Sequence, residues 1–182
     1  MSNENVPPQA PYATFAAGCF WCVESEFRRL DGVLFTRAGY EGGLTKNPSY
    51  QDVCTGRTGH AEAVEIYYDP KIITYRALLM HFLELAHDPT DLNGQGVDRG
   101  TQYRSAIFYA DEDQKEQAQK AIADVSAGGR WKKPIVTTLE PQGPFWPAEE
   151  YHQQYYEKYE GKQGVQHPNM LYKMQKWAKE GR

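Results

Sequence analysis

The sequence predicts an α/β (α+β) fold in which helices and a mixed sheet form two layers. Segments with the two-residue alternation of a strand take turns with segments of helical spacing along most of the chain. The length of 182 residues suits a single domain of ordinary size. No internal repeat is present, and two stretches rich in Gly, Pro and polar residues predict long functional loops.

The first half of the chain begins with a proline-containing lead-in. We expect residues 1–11 to be flexible and residues 12–182 to form one domain. A strand is predicted over 12–17. A helix follows over 19–30, because apolar residues recur there at steps of three or four. A second strand is predicted over 33–40.

A polar, glycine-rich loop is expected over 41–60, followed by a strand over 61–69 that shows clear alternation. Thr74 can cap the next helix, which has an apolar stripe of leucine, phenylalanine and alanine. The second long loop, 87–101, contains four Gly or Pro residues. Its length favours a functional role.

The remaining segments are a strand over 103–110, a polar helix over 112–127, a β-branched strand over 135–139, a tyrosine-rich helix over 148–159 and a tail helix over 170–179. The tyrosines of the fourth segment are interpreted as a packing face. They are Tyr151, Tyr155, Tyr156 and Tyr159.

The composition limits the classes of function. A formal net charge of -4 argues against nucleic acid and against an anionic membrane surface as partners. No apolar run approaches the roughly 20 residues of a membrane-spanning helix. Three cysteines are too few for a disulfide framework, so we expect a cytoplasmic protein.

Cys19 and Cys22 form the most informative motif, because they lie where the first strand ends and a helix begins. Unpaired N–H groups and the partial positive charge of a helix N-terminus favour a thiolate. The pair then provides a nucleophile and a neighbouring thiol. Two other interpretations stay open: a zinc site completed by Cys54 and His60, whose spacing matches no familiar motif, and simple packing of Cys22.

Glu62 is the second candidate. It shares a strand face with Val64, Ile66 and Tyr68, and an apolar setting would raise its pKa and keep a proton on it near neutrality. If the register of the strand is inverted, Glu62 is solvated instead. The pattern alone does not decide between these two readings.

Aromatic residues complete the set. Tyr50 and Tyr103 lie in or beside the glycine-rich loops, where their hydroxyls can donate to a substrate oxygen. Phe20 and Trp21 flank the cysteine and can form an apolar pocket for a methyl group or thioether. Each of these residues can equally be a packing residue. The five histidines, among them His152, are interpreted as structural or surface residues.

Seven segments resemble, in order, motifs of the class A peptide methionine sulfoxide reductases. Their ordered occurrence is far more specific than any one of them. They are Gly18-Cys19-Phe20-Trp21, Gly39-Tyr40-Glu41-Gly42-Gly43, Asn47-Pro48-Ser49-Tyr50, residues 53–62, His87-Asp88-Pro89-Thr90, Gly100-Thr101-Gln102-Tyr103-Arg104-Ser105 and Glu150-Tyr151-His152-Gln153-Gln154.

The resemblance implies a mixed α/β roll with a ferredoxin-like core, no metal and no cofactor. It implies reduction of the S epimer of methionine sulfoxide, free or in oxidised proteins and peptides. The implied roles are: Cys19 as nucleophile, Glu62 as acid, Tyr50 and Tyr103 as hydroxyl donors, Asp98 as a residue that organises the site, and Phe20 and Trp21 as the pocket for the S-methyl group.

Two departures from the family pattern concern the cysteines. Cys22 occupies a position where Gly is common in the family, and no cysteine follows Cys54. A third departure is Val97, at a position where Asn is expected. We expect Cys22 to resolve a sulfenic acid at Cys19, with Cys54 as the alternative, and thioredoxin to reduce the resulting disulfide. We expect a monomer.

Two rival classes fit part of the pattern. A thioredoxin-like CxxC disulfide oxidoreductase would also place Cys19 at a helix start, but it needs neither Glu62 nor the loop that holds Tyr103. An aromatic-lined module that binds peptides without chemistry would need no reactive cysteine.

Overall fold

A computed structural model describes residue 7 and residues 9–163, with side chains as far as residue 159. Strands and helices alternate within this part of the chain. They are β1 (Tyr12–Ala17), α1 (Phe20–Arg28), β2 (Val33–Glu41), α2 (Tyr50–Cys54), β3 (Ala61–Tyr68), α3 (Tyr75–His81), β4 (Gly94–Gln95), β5 (Asp98–Arg99), β6 (Ser105–Tyr109), α4 (Glu112–Ala127), β7 (Thr138–Pro141), β8 (Trp146–Pro147) and α5 (Tyr155–Gln163).

The main sheet has six strands in the order β7-β6-β1-β3-β2-β8. All neighbours in it run antiparallel except β6 and β7, which are parallel. The sheet is therefore mixed, and the predicted α/β class is confirmed. Strands β4 and β5 form a separate two-stranded ribbon.

The register of β1 on β3 brings the end of one strand beside the start of the other. Phe15 lies opposite Val64 in this antiparallel pair, so Ala17, two residues on, comes level with Glu62, two residues back. On the other side of β3, Tyr40 lies opposite Glu62. The segment that leaves β1 toward α1 therefore starts at the sheet edge where Glu62 lies.

Helices α1, α3 and α4 cover one face of the sheet, where the largest hydrophobic cluster lies. The Phe15 ring of β1 is fully buried there, with its centroid 4.7 Å from the Phe82 ring and 5.6 Å from the Phe27 ring. Burial of one such side chain stabilises the fold by roughly 2–3 kcal/mol. On the opposite face, small residues of the sheet pack under Phe145.

The helix ends follow the predicted capping rules. The Thr74 side chain accepts the N–H of Ala77 at 3.0 Å, and Asp111 accepts the N–H of Gln114 at 2.8 Å. Helix α3 runs on into a π-helical turn, Phe82–Ala86. The predicted helix over 112–127 is confirmed at both ends by α4.

Several boundaries differ from the prediction because short elements carry weak periodicity. The loop over 41–60 contains α2, and the loop over 87–101 contains β4 and β5. The strand expected over 135–139 is found at Thr138–Pro141. The helix expected over 148–159 is a 3-10 turn, Glu150–His152, followed by α5.

Two predictions fall at the ends of the chain. The tail helix over 170–179 lies outside the described residues, as does most of the lead-in over 1–11. The assignment of residues 12–182 to one domain stays a prediction. In the described part of the chain, no helix is long and apolar enough to cross a membrane.

Candidate active site

Cys19 lies between β1 and α1, as predicted, and is the N-cap residue of α1. Gly18 before it has φ 85°, a left-handed conformation that favours glycine. A Cβ at Gly18 would come within 2.7 Å of the Gln95 side chain. The glycine thus lets the β4–β5 ribbon approach the turn over residues 18–22, which carries Cys19 and Cys22 and is called the cysteine turn below.

The Cys19 thiol is buried, and its pKa is raised well above the usual range. Burial is the largest cause, followed by a hydrogen bond to Cys22 that favours the protonated form. The predicted thiolate is therefore wrong for the resting site. The N–H of Phe20, the first of the helix, donates to Glu62. One of the N–H groups that could stabilise a thiolate is thus already engaged.

Glu62 lies at the second position of β3 and is 2% exposed. Its Oε2 accepts the Phe20 N–H at 3.0 Å, which leaves Oε1 to carry a proton. Burial raises its pKa to about 8 against the opposing effect of that hydrogen bond, and nearby Asp98 adds to the rise. Of the two alternatives that the sequence pattern left open, the structure therefore shows the buried one, and Glu62 is a carboxylic acid that keeps its proton at neutral pH.

Tyr50 lies in α2, Asp98 in β5 and Tyr103 in a 3-10 turn, Thr101–Tyr103, at the end of the second long loop. Burial raises the pKa of both phenols, and the nearby Glu62 carboxyl raises it further. Asp98 also raises the pKa of Tyr103 and of Cys19. The fold therefore brings all five predicted polar residues into one electrostatic neighbourhood.

The Phe20 ring forms an aromatic wall beside the acid. Its centroid is 5.7 Å from Tyr40, 6.4 Å from Tyr50 and 5.1 Å from His152. Phe20 is buried, whereas Tyr50 is half-buried. Residues that could surround a small apolar group therefore stand next to groups that can donate protons.

Trp21 is held from two sides. Its Nε1–H donates to Nδ1 of His152 at 2.9 Å, and its ring stacks on Tyr155 with centroids 3.8 Å apart and planes 7° apart. His152 is fully buried. Burial lowers its pKa to about 4, although Glu149 opposes this, so the ring is neutral at pH 7 and Nδ1 can accept.

The three cysteines are all free thiols. Cys22 is buried in the first turn of α1, and its Sγ lies 3.1 Å from the hydroxyl of Tyr156. Cys54 is exposed at the end of α2, where it is hydrogen-bonded to the Tyr50 side chain. Both candidates for the resolving thiol thus border the site.

Residues that the sequence analysis did not assign to the site come from the segment 152–156. His152, interpreted as structural, orients Trp21, and Tyr155 and Tyr156 contact the cysteine turn where a packing face was expected. Tyr151 of that expected face is largely exposed. The segment 150–154, which resembles a family motif, was the sequence feature that could have indicated this role of His152. In the described residues, no group of three His, Cys, Asp or Glu side chains could hold a metal ion.

A buried thiol beside an acid that keeps its proton can deliver an electron pair and a proton to one neutral, polar group. On this α/β scaffold, such a site defines a thiol-dependent oxidoreductase. Residues 11–181 match the family model described as peptide methionine sulfoxide reductase. The chain therefore belongs to the peptide methionine sulfoxide reductase family, and the resemblance found in the sequence is confirmed.

Individual relatives agree with this assignment. The peptide methionine sulfoxide reductase MsrA of Methanoculleus marisnigri is 54% identical over 151 residues, which cover 83% of this chain and 92% of the relative. The crystal structure of Mxr1 from Saccharomyces cerevisiae in reduced form is similar with a TM-score of 0.80 and 36% identity, covering 90% of this chain and 92% of that one.

A second yeast structure shows Mxr1 in complex with Trx2. It is similar to this chain with a TM-score of 0.57 and 26% identity, covering 82% of this chain and 86% of that one.

Proposed function

We propose that this chain reduces the S epimer of methionine sulfoxide, free or in oxidised peptides and proteins, with Cys19 as nucleophile and Glu62 as acid. The observation that carries the proposal is the hydrogen bond from Phe20 N–H to Glu62, which holds a protonated carboxyl beside the residue that follows Cys19. A sulfoxide sulfur is a poor electrophile until its oxygen is protonated, so the two groups must act on one S=O group.

The first step balances without any net uptake of protons. Glu62 gives its proton to the sulfoxide oxygen, and the sulfur of Cys19 attacks the sulfoxide sulfur. The bond between the two sulfurs then breaks as the hydroxyl passes to the sulfur of Cys19, and methionine leaves as the thioether. The proton of the Cys19 thiol returns to the Glu62 carboxylate. Cys19 is oxidised to a sulfenic acid while the sulfoxide is reduced. Because burial disfavours both thiolate and carboxylate, the site starts and finishes this step neutral.

The surrounding residues have roles that suit this step. Tyr50 and Tyr103 keep their protons far above neutral pH and are donors to the sulfoxide oxygen. Asp98 organises the same region through its effect on Glu62. Phe20 and Trp21 provide the apolar wall for the S-methyl group.

Cys22 then condenses with the sulfenic acid to form a disulfide and water, and a thioredoxin reduces that disulfide by exchange. The complex of yeast Mxr1 with Trx2 supports thioredoxin as the reductant. Cys54 is the alternative resolving thiol, since it shares the neighbourhood of Tyr50 and Tyr103. We further propose that the protein acts in the cytoplasm as a monomer.

A single-turnover experiment tests the proposal. Fully reduced protein is mixed with the separated S and R epimers of a methionine sulfoxide peptide, with no added reductant. We expect about one methionine per chain from the S epimer alone and the loss of two thiols. Loss of one thiol would show that the sulfenic acid persists without a resolving cysteine.

A failure to form methionine from either epimer would overturn the reductase proposal. The chain would then be tested as a thioredoxin-like disulfide oxidoreductase by its ability to reduce insulin disulfides.

A further inference from the structure

The hydroxyl of Tyr156 contacts Cys22, the predicted resolving thiol. Its oxygen lies 3.1 Å from Cys22 Sγ, and both side chains are buried, 5% and 2% exposed. Cys22 is in turn hydrogen-bonded to Cys19. Cys19, Cys22 and Tyr156 therefore form a buried chain of hydrogen-bonded groups that joins the nucleophile to α5.

The segment around Tyr156 is hydrogen-bonded to α1 on both sides of that residue. The N–H of Gln154 donates to the buried Glu24 carboxylate, and Arg28 Nε donates to Glu157 at 2.7 Å. The acceptor, Glu24, and the donor, Arg28, both belong to α1, the helix that contains Cys22. The phenol is thus presented to the sulfur by a scaffold that is anchored one or two residues away.

A third anchor lies at the residue directly before it. The Tyr155 ring stacks on Trp21, the residue directly before Cys22. The two adjacent pairs, Trp21 with Tyr155 and Cys22 with Tyr156, bring α1 and α5 together over the cysteine turn. Such parallel contacts fix both the direction and the distance of the phenol.

We propose that Tyr156 is a positioning residue for the second half of the reaction, in which Cys22 attacks the sulfenic acid of Cys19. This inference rests on the proposed function and on Cys22 as the resolving thiol. In the step, an S–S bond forms between the two cysteines and the S–O bond at Cys19 breaks. The proton of Cys22 leaves with the hydroxyl as water.

The phenol acts on this step through the sulfur of Cys22. As the thiol loses its proton, negative charge develops in a site that excludes water, and a hydroxyl at 3.1 Å can donate to that charge. The same contact keeps the sulfur turned toward Cys19. In the first half of the reaction, Cys22 gains no charge, so the hydroxyl of Tyr156 contributes little there.

The test compares Tyr156→Phe with the wild type and with Tyr159→Phe, which removes a hydroxyl from the same helix one turn further on. Reduced protein is mixed with the S epimer, and methionine and free thiols are followed in time, with a dimedone trap for sulfenic acid. We expect disulfide formation to slow roughly tenfold in Tyr156→Phe, the loss expected for one hydrogen bond to a charged group. The sulfenic acid then accumulates after the methionine burst.

The pH dependence separates positioning from simple structural support. In Tyr156→Phe, the rate of disulfide formation should rise only at higher pH than in the wild type, because the thiolate lacks its donor. If Tyr156 had a merely structural role, the substitution would change the fraction of protein that forms the disulfide, but not the pH dependence of the rate. In a Cys22→Ser background, Tyr156→Phe should leave the lifetime of the sulfenic acid unchanged.

Three results would overturn the inference. They are an unchanged or faster second phase in Tyr156→Phe, an equal slowing in Tyr159→Phe, and a disulfide that joins Cys19 to Cys54. Each of these requires a normal methionine burst. If the wild type gives no burst, the proposed function fails instead.

Discussion

The backbone N–H of Phe20 donates to Oε2 of Glu62 at 3.0 Å, which joins the first turn of α1 to the start of β3. This bond occupies an N–H that a helix N-terminus would otherwise offer to a thiolate. It also fixes the acid beside the cysteine turn. The site therefore rests in a neutral state, with protons on both Cys19 and Glu62.

Glu62→Gln should abolish proton transfer while keeping the fold. The amide oxygen of Gln can still accept the Phe20 N–H, so the turn stays in place. We expect the rate of methionine formation in a single turnover to fall by roughly 10²- to 10⁴-fold, the usual contribution of general acid catalysis. Rapid-quench measurement with the S epimer checks this.

The pH profile of the wild type gives a second test of the acid. In the proposed mechanism Glu62 acts in its protonated form, and its pKa is raised to about 8. The single-turnover rate should therefore decline as the pH rises through about 8, and this decline should be absent from Glu62→Gln. A decline of the same shape in both proteins would mean that another group titrates.

Cys22→Ser should leave the first turnover intact and impair thioredoxin-driven cycling. Cys22 is the neighbour hydrogen-bonded to Cys19, whereas Cys54 lies on another helix. With thioredoxin, thioredoxin reductase and NADPH, Cys54→Ser should turn over like the wild type. Unchanged multi-turnover rates in Cys22→Ser, with a loss in Cys54→Ser, would exchange the roles of the two thiols.

The order of the main elements could be predicted from the sequence because their periodicity is strong. Strand β3 is eight residues long and buried throughout, and α4 is bounded by an Asp cap and two glycines. Strands of two residues, such as β8, carry no periodicity, so their pairing depends on tertiary contacts alone. Helix α2 is short, but the Ser49–Asp52 capping box was a local sign of it.

The location of the site residues in the elements and loops was also predictable, while the protonation of Cys19 was not. A helix N-terminus favours a thiolate at Cys19, but burial and the hydrogen bond to Cys22 outweigh it. The sequence carries no measure of burial at that position. His152 could not be assigned a partner because Trp21 lies 131 residues away in sequence.

His152→Leu should weaken substrate binding more than it slows chemistry. It leaves the Trp21 Nε1–H without its acceptor in a buried position, which costs roughly 1–3 kcal/mol and frees the indole to turn. We expect KM for a methionine sulfoxide peptide to rise by at least about fivefold and by up to roughly 150-fold, with a smaller change in kcat. His152→Gln, whose amide oxygen can accept, is the matched control. Equal effects of Leu and Gln would exclude the hydrogen bond as the cause.

Protonation of His152 should also destabilise the protein in acid. Its pKa is about 4 in the folded protein against 6.5 in the unfolded chain, so the unfolded state binds more protons between these values. The contribution of neutral His152 to the free energy of unfolding is therefore fully present above pH 6.5 and is lost as the pH falls toward 4. Urea unfolding across this pH range should show that the free energy of unfolding falls less steeply with decreasing pH in His152→Gln than in the wild type.

Glu41 should have the opposite effect on stability at higher pH. It lies at the end of β2 with 1% exposure, and burial raises its pKa to about 7 although the Gly143 N–H, at 2.8 Å, opposes the rise. Nearby Glu65 and Glu140 add to it. In the unfolded chain its pKa is 4.5, so the folded state binds more protons between pH 4.5 and 7.

Because the folded state favours the protonated form, the contribution of Glu41 is fully present below pH 4.5 and is lost as the pH rises through about 7. Glu41→Gln keeps an acceptor for Gly143 and removes the charge. We expect the variant to gain up to about 3 kcal/mol over the wild type at pH 8 and to match it near pH 4.5. Urea unfolding at both pH values checks this. A gain of equal size at both would assign the effect to packing, since only titration of Glu41 makes the difference between the two proteins depend on pH.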